Sequence, residues 1–443
     1  MTNIGIVGAG VAGLHLGLYL RQQGIETTLY AEKNAEQQFA SRIPALVARV
    51  GHTRERERQL GVNHWDGGHN EFNNMNFHIP GEHPMSFTGH SVDPLIAVDM
   101  RIYLGRLQED FAARGGHVVV GLTKASDLEA LSEKHDLLLV ATGRGGITEL
   151  FPVIEEDSPY TQPQRWISMG LFTGIRNVEM NAYVTFAPGQ GEIFEFPIYS
   201  FAPNITGLGI ESIPGTAFDA WTHLRYEDDP QAFNNGLLEL LREYAPGTYS
   251  RIDLEKFGLT RPLDLMQGGV TPAVRKGYAT LPNGKQVIAI GDAHFGNDPI
   301  TGQGANTASR MAFLIGEEIS TNQVFDEEFA RRIEQRVRAY AAPIAKWSNA
   351  MLGQPEQHMI DLMVGAAQNQ GLADEFARFF EKANEAWDSF GSAEGAAALM
   401  AKHGYQPAPA PAPEAEVTIE PAIHLTSATD PRPRAAEPEA VAA

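Results

Sequence analysis

Apolar positions along this chain fall into three textures, and each predicts a different kind of element. Residues 2–8 (TNIGIVG) form a short apolar run with β-branched residues, the pattern of a strand buried on both faces of a parallel sheet. Val11, Leu14, Leu18 and Leu20 then recur at near-helical spacing, and Gln22-Gln23-Gly24 supplies a stop signal. Residues 25–30 return to a strand, which completes a βαβ unit. Two later runs, 136–143 (DLLLVATG) and 287–292 (VIAIGD), also read as strands. Between them, residues 165–262 alternate apolar and polar positions in pieces such as AYVTFAP and IFEFPIYSF, broken by Pro and Gly. That alternation predicts antiparallel strands in a separate sheet. Residues 325–400 are mostly helical in pattern. From Gln406 the texture changes to Pro, Ala and Glu, with eight of the 27 prolines in the last 38 residues, so an extended, disordered tail is expected there. The VTIE island at Val417 to Glu420 is a candidate docking segment within it.

Composition narrows the chemistry. The chain has 443 residues, 43% hydrophobic and 20% charged, too long for one simple core. Its 34 basic and 55 acidic residues leave a net charge of -21, which argues against nucleic-acid binding through phosphate neutralisation. There is no cysteine. Disulfides, thiolate metal sites and iron–sulfur clusters are excluded, and redox chemistry would fall to a bound organic cofactor. No apolar run approaches the roughly 18–20 residues that cross a bilayer. The N-terminus lacks a basic segment before its apolar run, so it is expected to begin the fold, in a cytoplasmic protein. Six of the 14 histidines lie between His52 and His90, but no HxH, HxxxH or HExxH pair occurs among them, so no metal site is expected. The run Arg54-Glu55-Arg56-Glu57-Arg58 alternates in sign and reads as a solvated segment.

The strongest motif is Gly8-Ala9-Gly10-Val11-Ala12-Gly13 between the first strand and helix. Gly8 allows the tight turn, Gly10 lets a pyrophosphate approach the backbone, and Gly13 permits close helix–strand packing. Glu32, at the end of the second strand, is placed to accept hydrogen bonds from ribose hydroxyls. A second element separates FAD from a nicotinamide cofactor. Asp292 ends a strand, and Pro299-Ile300-Thr301-Gly302-Gln303-Gly304-Ala305-Asn306 opens a helix. Asp292 can bond a ribityl chain, and the N–H groups of that turn can face the N1–C2=O edge of an isoalloxazine, stabilising negative charge. Arg101, in a helical segment, resembles in its placement the Arg of the aromatic-hydroxylase flavoproteins that reaches the FAD phosphates. Thr142 and Gly143 end the ATG strand, which by the same resemblance approaches the cofactor.

With these residues assembled, the chain resembles the styrene and indole monooxygenases. The likeness is carried by IGIVGAGVAGLHLGLYLRQ, VDMRIY, ARGG, DLLLVATG, LMQGGVTPAVRKGYATLPNGK and GDAHFGNDPITGQGANTASRMAFLIGEEI. It implies an α/β fold: a Rossmann-like FAD-binding domain of para-hydroxybenzoate hydroxylase type, a smaller β-sheet substrate domain and C-terminal helices. The expected division is residues 1–164 for the first part of the FAD domain, with a substrate-facing insertion near 66–92, then 165–264 for the substrate domain. Residues 265–324 complete the FAD domain, 325–405 form the helical region, and 406–443 the tail.

The resemblance further implies a two-component epoxidase. Reduced FAD (FADH2) would come from an NADH-dependent flavin reductase, and with O2 it would form a C4a-hydroperoxide that passes one oxygen atom to a small aromatic alkene or heteroarene. The flavin would carry the chemistry, with no catalytic side chain assigned; a homodimer is compatible with this reading. Arg144-Gly145-Gly146 follows the ATG strand where single-component hydroxylases have Asp-Gly, in keeping with an external reductase. Arg42 matches an Arg of the family beside the flavin, but Ala45 stands where its Asn is expected. Pro44, Ala45, Val47 and His78 are the expected substrate-pocket residues. Two alternatives remain at this point: a single-component NAD(P)H-dependent hydroxylase and a non-catalytic flavin-binding protein. The absence of a WxWxIP segment disfavours a halogenase.

Overall fold

The computed structural model describes residues 2–68, 70–143, 146–177 and 181–407. The expected tail from 408 onward, including Val417 to Glu420, lies outside the described residues, as do Arg144 and Gly145. Residues 1–406 make one compact unit.

Strand Asn3–Val7 sits in the middle of a six-stranded sheet, in the order Tyr278–Thr280, Gln286–Ala289, Leu137–Val140, Asn3–Val7, Glu26–Ala31, His117–Val120. All neighbours are parallel except the Tyr278–Thr280 hairpin at one edge. Ile4, Ile6, Leu137, Leu139 and Ile288 are almost entirely buried, which is why these strands read as continuous apolar runs rather than alternating ones. Helix Val11–Gln22 ends where Gly24 adopts φ +75. It packs against helices Met100–Ala113 and Gly304–Thr321 over one sheet face.

The second sheet has nine strands. Trp166–Thr173, Asn181–Ala187, Gly191–Ile198 and Ile205–Ser212 form its antiparallel centre. Glu71–Ile79 adds to Asn181–Ala187 in parallel and pairs with the long strand Met85–Ala97. The segment near 66–92 is thus part of the same sheet as the 165–212 strands. One face of this sheet packs on Phe218, Phe233 and Leu237. On the other, Phe77 and Phe87 meet Phe376, Phe380 and Trp347 of the C-terminal helices. Burying each such side chain contributes on the order of 1.5–3 kcal/mol. Those helices run from Glu327–Leu352, capped by Asp326, to Ala393–Lys402. Among the described residues, no helix is long and apolar enough to cross a membrane.

Candidate cofactor and substrate groove

A groove of about 1430 Å³ runs from the C-terminal ends of the parallel strands to the inner face of the larger sheet, the place where open α/β sheets bind ligands. Gly8, Ala9, Gly10, Val11, Ala12, Glu32, Thr142 and Gly143 line one end. Gly8 has φ +115, and a Cβ there would fall 2.7 Å from the Ala141 carbonyl. Gly13 does not line the groove. A Cβ on Gly13 would sit 2.0 Å from the Gly8 carbonyl oxygen, so this glycine lets helix and turn touch. Gly10 differs: a Cβ on it would meet no protein atom within 4 Å. Its open side faces the groove, at the start of a helix with no side-chain cap. The first-turn N–H groups are therefore available to an anion.

The middle of the groove repeats this design. Pro299, Gly302, Gln303, Gly304, Ala305 and Asn306 line it, and helix Gly304–Thr321 also starts without a side-chain cap. Gly302 has φ +65 and, like Gly304, nothing within 4 Å of a hypothetical Cβ. The side chains of this turn brace it from behind. Gln303 Nε2 donates to the Thr301 and Phe380 carbonyls, each at 3.0 Å. Asn306 Nδ2 donates to the Ala48 and Gly302 carbonyls, and its Oδ1 accepts from Val50 N and Thr53 Oγ1. The Asp292 carboxylate lies against Gly143, where a Cβ would be 2.9 Å from Oδ2. Thr142 Oγ1 is a buried hydroxyl without a protein partner among the described residues. Two bare helix starts, two open glycine cradles and an orphaned hydroxyl along one groove fit a long ligand with anionic groups, as FAD has.

Apolar side chains also line the groove: Pro44, Ala45 and Val47, and on the larger sheet Phe72, Met75, Leu95, Val184 and Phe196. These walls come from distant parts of the chain.

Several expected placements are corrected. Arg101 is fully buried and does not line the groove. It bonds Asp99 at 2.9 and 2.5 Å and Asp264 at 2.6 Å, and burial, which would lower its pKa, is outweighed by these carboxylates, which raise it. Its fork is thus consumed in clamping two segments and does not reach out to phosphates. Arg42 does line the groove, yet its guanidinium donates to the Pro262 and Leu265 carbonyls and to Glu227. His78 is not in the groove. In the strand's period of two it points opposite to Phe77, and its Nδ1 meets Ser86 Oγ at 2.8 Å. The expected solvated run is a helix, Gly51–Leu60, that buries Arg54, Arg56 and Glu57. Glu57 takes Arg49 Nε at 2.6 Å and the Tyr103 hydroxyl at 2.8 Å; Arg56 donates to Ser309, and Arg54 to Asp66 and Glu71. Internal pairing is what makes buried charge tolerable here.

Sequence reasoning missed Lys33 and Lys124, exposed cations that line the nucleotide end, and the apolar walls at Phe72, Met75 and Leu95. It also missed the buried carboxylates Glu195 and Glu211 at the groove's edge. His15, held neutral with a pKa lowered to about 3 by burial and by Arg56 and Arg49, links Tyr103 to Ser309 behind the first helix. Among the described residues no group of three or more His, Cys, Asp or Glu could hold a metal.

Known proteins resemble this chain in sequence and in fold. Residues 143–251 match the family described as "Styrene monooxygenase A putative substrate binding domain". The styrene monooxygenase StyA of Pseudomonas fluorescens is 39% identical over 397 residues, which is 88% of this chain and 95% of that protein. StyA of a Pseudomonas species matches to the same extent. Among solved structures, flavin-dependent brominase Bmp2 superposes with a TM-score of 0.63 at 15% identity, covering 90% of this chain and 98% of that one. A flavoprotein/dehydrogenase from Cytophaga hutchinsonii gives 0.61 at 12% identity, covering 90% and 100%. 2-Methyl-3-hydroxypyridine-5-carboxylic acid oxygenase gives 0.55 at 15%, covering 84% and 97%. The distant structures share the fold.

Proposed function

The chain belongs to the styrene monooxygenase family, and we propose that it uses reduced FAD and O2 to epoxidise or hydroxylate a small aromatic alkene or heteroarene. The observation that carries this reading is the continuity of the groove, from two uncapped helix starts into an apolar chamber. Reduced FAD, when bound, supplies the activation of O2 from which one oxygen atom is transferred. Everything else falls to the chain. The amides after Gly8 hold the diphosphate, and Glu32 accepts from the ribose. Lys33 and Lys124 supply the cationic charge that Arg101 does not. Asp292 orients the ribityl chain, while the amides from Gly302 to Asn306 favour negative charge on the isoalloxazine edge. The chamber around Ala45, Val47 and Met75 excludes water from the transferred oxygen and orients an apolar substrate. No side chain in it acts as nucleophile. Residues 1–164 and 265–324 serve the cofactor, 165–264 the substrate, and 325–405 brace both, with the 66–92 segment completing the substrate sheet.

A separate NADH-dependent flavin reductase delivers the reduced cofactor. The test mixes the purified full chain with FAD, NADH, O2 and styrene or indole, with and without an added reductase. Oxygenated product is expected only with the reductase. Rapid NADH oxidation by the chain alone would favour a single-component hydroxylase, and FAD binding without product from any aromatic alkene or heteroarene would favour a non-catalytic flavoprotein.

A further inference from the structure

Two glycines interrupt the groove-facing side of the larger sheet. Residues directly opposite each other in an antiparallel pair share a face. The register therefore puts Gly207 and Gly209 of strand Ile205–Ser212 on the same face as Phe194 and Phe196 of Gly191–Ile198 and Met169 and Leu171 of Trp166–Thr173. Phe194, Phe196 and Met169 line the groove; the two glycines do not. Glycine inside a strand weakens it and commonly marks a close approach by another group.

The approaches at the two positions differ. A Cβ on Gly209 would lie 2.6 Å from the Met169 Cα, so neighbouring backbone forbids a side chain there. A Cβ on Gly207 would have three nearest neighbours, at 2.8, 3.2 and 3.2 Å, and all three are atoms of the Phe196 ring. Gly207 has a φ outside the left-handed region, so its backbone would accept Ala, and the ring alone stands in the way. Phe196 is half-buried. It packs against the cluster of Ile43, Leu171 and Ile205 and against the cluster of Phe72, Leu95 and Ala182. With apolar neighbours in both clusters and the strand beneath it, the ring has its remaining freedom towards the groove.

We propose that Gly207 sets the width of the substrate chamber by leaving a recess for the Phe196 ring, which makes it a specificity-determining position that itself touches neither substrate nor cofactor. While the recess is open, the ring lies back against the sheet and the chamber admits substituted or fused aromatic rings. A methyl group at position 207 fills the recess and pushes the ring into the groove, which leaves room for narrow substrates only. This inference rests on the oxygenase reading given above and adds to it what limits the breadth of the substrate.

The experiment measures kcat/KM with FAD, NADH, O2 and an added reductase for styrene, para-methylstyrene and para-tert-butylstyrene. These share the reacting vinyl group and differ in bulk across the ring. Gly207→Ala is expected to lose about tenfold more on the bulkiest of them that wild type converts than on styrene, the scale on which an apolar pocket discriminates a methylene group. Adding Phe196→Leu to that variant should restore the ratio. Equal losses across the series, or a ratio that Phe196→Leu does not restore, overturn the proposal. If Gly207→Ala does not fold, Phe196→Leu alone should shift the ratio towards the bulkier substrates, and an unchanged ratio overturns it. A crystal structure of Gly207→Ala reads the recess without turnover: the Phe196 ring is expected to move into the groove, and an unmoved ring overturns the proposal. No product from wild type with any of these alkenes or with indole sinks the oxygenase reading, and the ring position then judges the recess by itself.

Discussion

The two ends of the groove are built by opposite means. At the nucleotide end, the contacts on offer are mostly backbone N–H groups from two short, contiguous segments, each a glycine turn opening a helix. At the substrate end, the surface is side chain, contributed by strands that begin as early as Ala48 and as late as Leu265. A backbone site requires glycine at particular positions and so writes itself into the sequence. A side-chain chamber requires only apolar residues of suitable volume, which many sequences provide.

Arg101 gives the sharpest test of that division, because a nucleotide-end role was expected for it and the structure makes it a clamp. Arg101→Ala should leave Asp99 buried without its cation, while Asp264 keeps Arg261 at 2.8 Å, and cost about 3–5 kcal/mol of stability, read from denaturant unfolding. Loss of FAD affinity with unchanged stability would return Arg101 to the phosphates. Next in size is a contrast between two glycines of one motif. Gly13→Ala drives a Cβ into the Gly8 carbonyl and should cost about 3 kcal/mol of folding stability. Gly10→Ala meets open space in the protein and should fold normally while losing about tenfold in FAD affinity, roughly 1.4 kcal/mol. Equal stability losses would break the distinction between packing and ligand approach. The smallest effect is expected at the other end. Ala45→Asn places an amide in the apolar chamber and should shift the ratio of product formed from indole and styrene by about 1 kcal/mol, with FAD affinity unchanged.

What the sequence made legible follows the same line. The βαβ start, the turn from Pro299 to Asn306, the antiparallel texture in the first half of 165–262 and the C-terminal helices all have local signatures, and local signatures survive folding. The second half of 165–262, expected as strands, instead forms helices Ala217–Thr222, Pro230–Tyr244 and Pro246–Tyr249. Pairing across long distances does not announce itself: nothing in EFNNMNFHI says that it will lie parallel to Asn181–Ala187. Charge misled for a related reason. Arg54, Arg56 and Glu57 look like surface residues because partners such as Ser309, 253 residues from Arg56, are not marked locally, and a run of alternating sign on a helix carries no mark of what will neutralise it. His78 was misplaced by a single step of the strand's alternation, which sends neighbours to opposite faces.

The brace behind the cofactor turn has a consequence for how the chain is made. Gln303 closes on the carbonyl of Phe380, which emerges from the ribosome about 80 residues after it, some 4–15 seconds later at typical elongation rates. During that interval the glycine turn is already synthesised but its latch is not, so a nascent chain stalled before the last helices would hold both flavin motifs and still lack a finished seat for the ring.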